Sequence, residues 1–190
     1  MNRDNPTVSS RGIAGLVAYL DAHVGAGAAC LEEAGLTAAE VSDPDARISR
    51  VRWVAAWRAA IRISGQPDLT LQLAAWVPFG TFDVLDYVVL RSANLRAALE
   101  KLGAYFALIH DGVTVQLDES SEPPRLVHRV IGVGAGDALE FSGLSTFATL
   151  VARLRLKAGI DFTPLGLHLA FPATEAASQI EAFFGCPVHW

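Results

Sequence analysis

Apolar residues recur at intervals of three and four through the first half of the chain. In much of the second half they alternate with polar ones. Ile13, Leu16, Val17, Leu20 and Val24 fall on one face of a helix, which Gly25 and Gly27 end. Thr37 and Glu40 have capping-box spacing and open one short helical turn. Asp43-Pro44-Asp45 is a loop. Ser49 caps a helix that carries Trp53, Val54, Trp57 and Ile61 and stops at Gly65. Pro67 suits the first turn of another, through Leu69, Leu73 and Trp76, and Pro78 and Gly80 break it. Phe82 to Leu90 reads as a short apolar helix. Ser92 or Asn94 starts the next, with Leu95, Leu99, Leu102 and Phe106 on one stripe.

After an Asp111-Gly112 turn the period changes. Val113, Val115 and Leu117 alternate with polar residues as a strand, and Arg125 to Ile131 returns as its hairpin partner. Asp137 and Glu140 again have capping-box spacing and open a long helix, with Leu144, Phe147, Val151 and Leu154 inward. Leu165, Leu167, Leu169 and Phe171 alternate as a third strand up to Pro172. Ala173 to Phe184 is helical, and Pro187 to Trp190 begins a fourth strand. The pattern predicts an α+β chain: a tail over 1–10, a helical subdomain over 11–107, and an α+β subdomain over 108–190. The second subdomain runs β-β-α-β-α-β, with a small, mainly antiparallel four-stranded sheet and two helices. Ending on an apolar strand at Trp190 reads as a domain cut short.

Composition narrows the function. The 190 residues carry a net charge of −5, and the lysines are Lys101 and Lys157. Phosphate contacts need clustered cations, so this segment is not expected to bind DNA. Arg47, Arg50, Arg52, Arg58 and Arg62 form the densest basic cluster, at the spacing of a wet helix face. Just over half the residues are hydrophobic (52%) and mean hydropathy is +0.33. Yet the most apolar stretch, Leu139 to Leu154, is interrupted by Glu140, Ser142, Ser145 and Arg153, so no membrane span is expected. The apolar content is expected to fill a core and to line a cavity or an interface. Cys30 and Cys186 match no metal or redox spacing and read as reduced thiols. Met1 to Ser10 lacks the apolar core of a secretory signal. A cytoplasmic protein is expected.

No catalytic constellation emerges. Gly132, Gly134 and Gly136 follow a strand and precede a helix, but Asp137 stands where a dinucleotide fingerprint needs its third glycine. Of His23, His110, His128, His168 and His189, none lies three or four from another, so no local metal pair exists. There is no G-x-S-x-G elbow, and Ser142 and Ser145 fall within the long helix. The carboxylate pairs Asp83 with Asp86 and Glu32 with Glu33 read as solvated. Arg153, Arg155 and Lys157 suit a solvated helix face or a dimer edge. Tyr87 and Tyr105 differ, because a buried hydroxyl needs a partner and such groups orient ligands in apolar pockets. The candidate polar contacts to a small molecule between the halves are Tyr87, Tyr105, His110, His128, Arg129 and His168, with no metal and no cofactor. His128 and His168 enter that set if the sheet packs beneath the helical half.

Four stretches, in order, resemble one family. They are LTAAEVSDPDARI (Leu36 to Ile48), GQPDLTLQLA (Gly65 to Ala74), GTFDVLDYVVLRSANLRAALEKLGAYFALIHDGVTVQLDE (Gly80 to Glu119) and EAFFGCPVHW (Glu181 to Trp190). Together they are similar to the N-terminal effector domain of AraC-type regulators, in the arabinose-binding-domain branch. Gln66 stands where the family more often has an acidic residue, and Trp76-Val77-Pro78 replaces a glycine-containing turn. The resemblance implies a cytoplasmic homodimeric transcription regulator whose N-terminal domain senses a small molecule. It implies DNA contact through a C-terminal helix-turn-helix domain absent from this chain, and no catalytic residues. The alternatives are a dimerisation module without a ligand and, third, a small-molecule enzyme.

Overall fold

Ser9 and Ser49 each turn a short strand into a long helix. In a computed structural model, described over residues 4–132, 135–156, 159 and 161–190, strand β1 (Thr7–Ser9) pairs antiparallel with β2 (Arg47–Ser49). The Ser9 hydroxyl accepts from Arg11 N at the start of α1 (Ser10–Val24), and the Ser49 hydroxyl accepts from Arg52 N at the start of α4 (Arg50–Ser64). A side-chain oxygen here answers a backbone N–H that the first helical turn leaves unbonded. Both helices end on glycines in the left-handed region, Gly25 and Gly65, where a side chain would be strained. Between them lie α2 (Gly27–Glu33) and α3 (Ala38–Ser42). Helix α3 opens with the expected capping box: Glu40 N donates to the Thr37 hydroxyl, and Thr37 N donates to the Glu40 carboxylate.

The N-terminal segment therefore departs from the expected tail, because from Thr7 it is a strand. Its edges are taken up on both sides. Ser9 N donates to Ile109 O at 2.7 Å, Asp111 N donates to Thr7 O, and Val8 bridges His110. The Asp111 carboxylate accepts from the Thr7 amide and hydroxyl, both at 2.7 Å. Three residues are too few for alternation to show, so this strand is fixed by partners distant in sequence. Helix α2 was likewise not expected, since Gly27 reads as a stop; there it is the first helical residue, and its N–H donates to Asp21.

The remaining helical half is α5 (Leu69–Trp76), α6 (Val84–Leu90) and α7 (Leu95–Tyr105), with a 3-10 turn at Phe106–Leu108. Asn94 caps α7 by accepting from Ala97 N. The second half keeps the expected order: β3 (Val113–Asp118), β4 (Arg125–Val130), α8 (Ala135–Leu156), β5 (Leu167–His168), α9 (Ala177–Phe184) and β6 (Val188–His189). Among the described residues the expected four-stranded sheet does not form. β3 and β4 make an antiparallel hairpin, while β5 and β6 are a separate, parallel, two-residue pair. The alternation over Leu165 to Phe171 reflects Leu167 and Leu169 burying on one side, which needs no long strand. The expected capping box at Asp137 is replaced as well. Helix α8 already includes Ala135, and Asp137 pairs with Arg58 at 3.0 Å. Gly134 lies outside the described residues.

Helix α8 ties the core together. Ala138 and Phe141 join the cluster built by α1 and α4, where Phe141 stacks on Trp57. Leu144, Ala148 and Val151 join α9 and β5, while Leu150 and Leu154 join α6, α7 and the hairpin. A helix apolar on most of its circumference buries on several sides. Removing each Leu, Val or Phe of that surface from water contributes roughly 1.5–3 kcal/mol.

Candidate functional site

A cavity of about 130 Å³ lies where the helical half meets α8. Strand β1, helices α1, α4, α5, α6 and α7, and residues 106–110 wall one side. One face of α8 (Ser142, Ser145, Thr146, Thr149, Leu150 and Arg153) walls the other. The wall is mainly hydrocarbon, the make-up that excludes water and favours apolar ligands.

His110 is the wall's most unusual member. The Val8 bridge holds its backbone, and its ring packs edge-on against Trp53 with centroids 5.8 Å apart. Only 2% of the residue is exposed. Gly112 N donates to Nδ1 at 3.2 Å, so Nδ1 carries the lone pair and the ring proton sits on Nε2. That Nε2 has no hydrogen-bond partner among the described residues. Burial, helped by the nearby Arg50 guanidinium, pushes the pKa of the ring down to about 3, so His110 is neutral at physiological pH.

A buried ion pair closes another part of the wall. Arg153 Nε donates to Asp86 Oδ1 at 3.3 Å, and its terminal nitrogens donate to Val77 O and Pro78 O at 2.8 Å. The Asp86 carboxylate also accepts from Gly80 N at 2.8 Å and Phe82 N at 3.2 Å. Two charges from α6 and α8 thus hold the 77–83 connection, part of which lines the cavity. Asp83, in that connection, has φ 51°, a region where a non-glycine residue is strained, and Arg11 reaches it at 3.1 Å.

The residues expected from sequence do not converge. Of Tyr87, Tyr105, His110, His128, Arg129 and His168, His110 is in the cavity lining. Tyr87 and Tyr105 are 47% and 49% exposed. Arg129 is exposed on the outer face of the hairpin. His168 is also exposed and stacks on His189 with centroids 4.5 Å apart. The His128 ring lies between Phe106 and Phe147 with Nε2 3.1 Å from the Ser142 hydroxyl, and burial pushes its pKa down to about 4. His128 is not in the cavity lining and meets it through Phe106 and Ser142, which are.

Several charges expected on solvated faces, or for Arg153 and Arg155 on a solvated face or a dimer edge, are instead buried or, for Arg155, half-buried and bonded within the fold. Asp86 and Arg153 are the pair just described. Arg50, from the arginine cluster, is 1% exposed, and its Nη2 donates to Gly112 O and Ile131 O at the open end of the hairpin. Arg155 donates to Phe162 O and to the Phe183 and Phe184 carbonyls at the C-terminus of α9, where a cation is favoured. The signal that could have found Arg153 was its interruption of an otherwise apolar helix; a charge in such a place needs a buried partner. Lys157 lies outside the described residues.

Among the described residues, no group of three or more His, Cys, Asp or Glu is placed to hold a metal ion. No helix there is long and apolar enough to cross a membrane. A family model described as the arabinose-binding domain of AraC transcription regulator, N-term, matches residues 25–190. No curated protein matches the chain.

Proposed function

The chain belongs to the family of the N-terminal arabinose-binding domain of AraC transcription regulators, and from that premise we propose that it senses a small-molecule effector in the cavity between the helical half and α8. The family is one of regulatory ligand-binding domains, not of enzymes. The observation that carries the reading is the cavity itself, with the buried Nε2 of His110, unpartnered among the described residues, in its wall. A domain that only dimerised would gain stability by filling that space, since voids are costly to leave. A ligand binding there touches both parts of the fold at once, so its occupancy shifts the balance between arrangements that differ in how α8 meets the helices. In the regulator this shift changes how the DNA-binding part is presented. The domain acts as a homodimer in this reading, and DNA contact falls to another domain of the parent protein.

The Ser142–His128 contact does not favour an enzyme reading. A ring with a pKa near 4 is a weak base at neutral pH, and Ser142 sits mid-helix, where its hydroxyl is not presented on a turn.

Thermal denaturation in the presence of fractionated metabolites tests the proposal. A compound that binds only the folded state raises the melting temperature in proportion to RT ln(1 + [L]/Kd). Thr149→Leu, which fills the cavity from α8, should abolish that rise. If no fraction shifts the wild-type domain while sedimentation shows a normal dimer, the ligand-free interaction module replaces this reading.

A further inference from the structure

We infer that the cavity takes a compact, uncharged, largely apolar molecule bearing a hydrogen-bond acceptor such as a carbonyl oxygen, read by the Nε2–H of His110; this rests on the effector-sensing reading and names the ligand class it left open. Most of the wall's polar groups are already engaged. The Ser142 hydroxyl faces His128 Nε2. The Ser145 and Thr146 hydroxyls donate to Ser142 O at 3.2 and 2.8 Å. The Thr81 hydroxyl donates to Pro78 O, and Asp86 and Arg153 answer each other. Among the described residues, His110 Nε2 is the one fully buried side-chain nitrogen or oxygen of this wall without a partner. A donor buried without an acceptor is destabilising, and a ligand acceptor placed against it removes that cost.

The same inventory argues against two other ligand classes. A sugar would bring several hydroxyls into a hydrocarbon wall whose polar groups are mostly committed, and each unmatched hydroxyl weakens binding. A carboxylate would need a cation, but Arg153 already holds Asp86 and two carbonyls, and the His110 ring is neutral. Size fits the same picture: about 130 Å³ is close to the roughly 150 Å³ of an apolar protein cavity that accepts benzene.

Acetophenone and ethylbenzene test this, because they share a skeleton and differ by a carbonyl in place of a methylene. Calorimetric titration of the wild-type domain should show acetophenone binding roughly tenfold tighter than ethylbenzene and no binding of L-arabinose. His110→Phe should bring the two aromatic probes to about equal affinity while ethylbenzene still binds. Should that variant fail to fold, wild-type protein labelled with 15N-histidine gives a second readout: acetophenone, and not ethylbenzene, should shift the His110 Nε2 resonance. Equal affinities in the wild type, or an unmoved resonance, would overturn the assigned acceptor while leaving the cavity a ligand site. Binding of L-arabinose without acetophenone would overturn the ligand class. If none of the probes binds, this inference fails, while the effector-sensing reading is decided separately by whether a metabolite fraction raises the melting temperature.

Discussion

His110 and His128 are kept neutral by burial, and this makes the fold sensitive to acid. Unfolded imidazoles protonate near pH 6.5, whereas in the fold these two do so at about 3 and about 4. The unfolded state binds more protons throughout that interval, so the stability due to the neutral rings is complete above about pH 6.5. It is lost as pH falls towards 4 and then 3, at ~1.4 kcal/mol per pH unit for each ring. Urea midpoints should therefore fall between pH 7 and pH 5, before the carboxylates titrate, and a His110→Phe/His128→Phe variant should flatten the fall. A pH-independent wild-type midpoint would contradict the buried neutral rings. The Arg153–Asp86 pair gives a second expectation at this scale. Removing one member of a buried pair leaves the other uncompensated, so Arg153→Met should cost about 3–5 kcal/mol in urea unfolding. The double replacement Asp86→Leu/Arg153→Met should cost less than the single one. A loss below about 1 kcal/mol would place the pair in solvent. Sequence marks these residues only by type: His110, expected as a contact, does line the cavity, but burial decides what each charge or ring does, and burial depends on residues far away in the chain.

At the scale of elements, close approach explains positions that periodicity treats as ordinary. Helix α7 lies on strand β3 at Gly103, where an added Cβ would fall on Val115 O. Ala has the higher helix propensity, yet Gly103→Ala should lower stability by roughly 1–3 kcal/mol through overpacking, read as a drop in melting temperature. A rise would show that the helix can move off the strand freely. Long amphipathic segments with caps were legible: α1, α4, α7, the hairpin and the Thr37 capping box all follow from spacing and local chemistry. The short strands were legible only in part. β1 and β2 are three residues each and left no alternation, while β5 and β6 were expected as strands but have two residues each and, among the described residues, pair only with one another, not with the hairpin. The Asp137–Glu140 spacing misleads for a related reason: α8 has begun by Ala135, and Arg58 claims the Asp137 carboxylate.

For the molecule as a whole, α8 contributes buried residues to all three hydrophobic clusters, so the helical half cannot lose its core without exposing the second half. The domain should unfold in one transition, with near-ultraviolet and far-ultraviolet circular dichroism superimposing; two separate transitions would show that the halves are independent. Sequence alone determined the α+β class, the order of the principal elements, the acidic charge and the membership suggested by four ordered motifs, because all of these are written in local spacing and composition. Only the tertiary structure decided that the sheet divides into separate pairs, that the N-terminal segment is a strand, and that the cavity is walled by α8 and not by the hairpin face. The physical reason is that a cavity and a buried charge are made by side chains brought together across long sequence separations. His110 and Arg153 acquire their surroundings from Val8, Trp53, Val77 and Asp86, and no local pattern records those contacts.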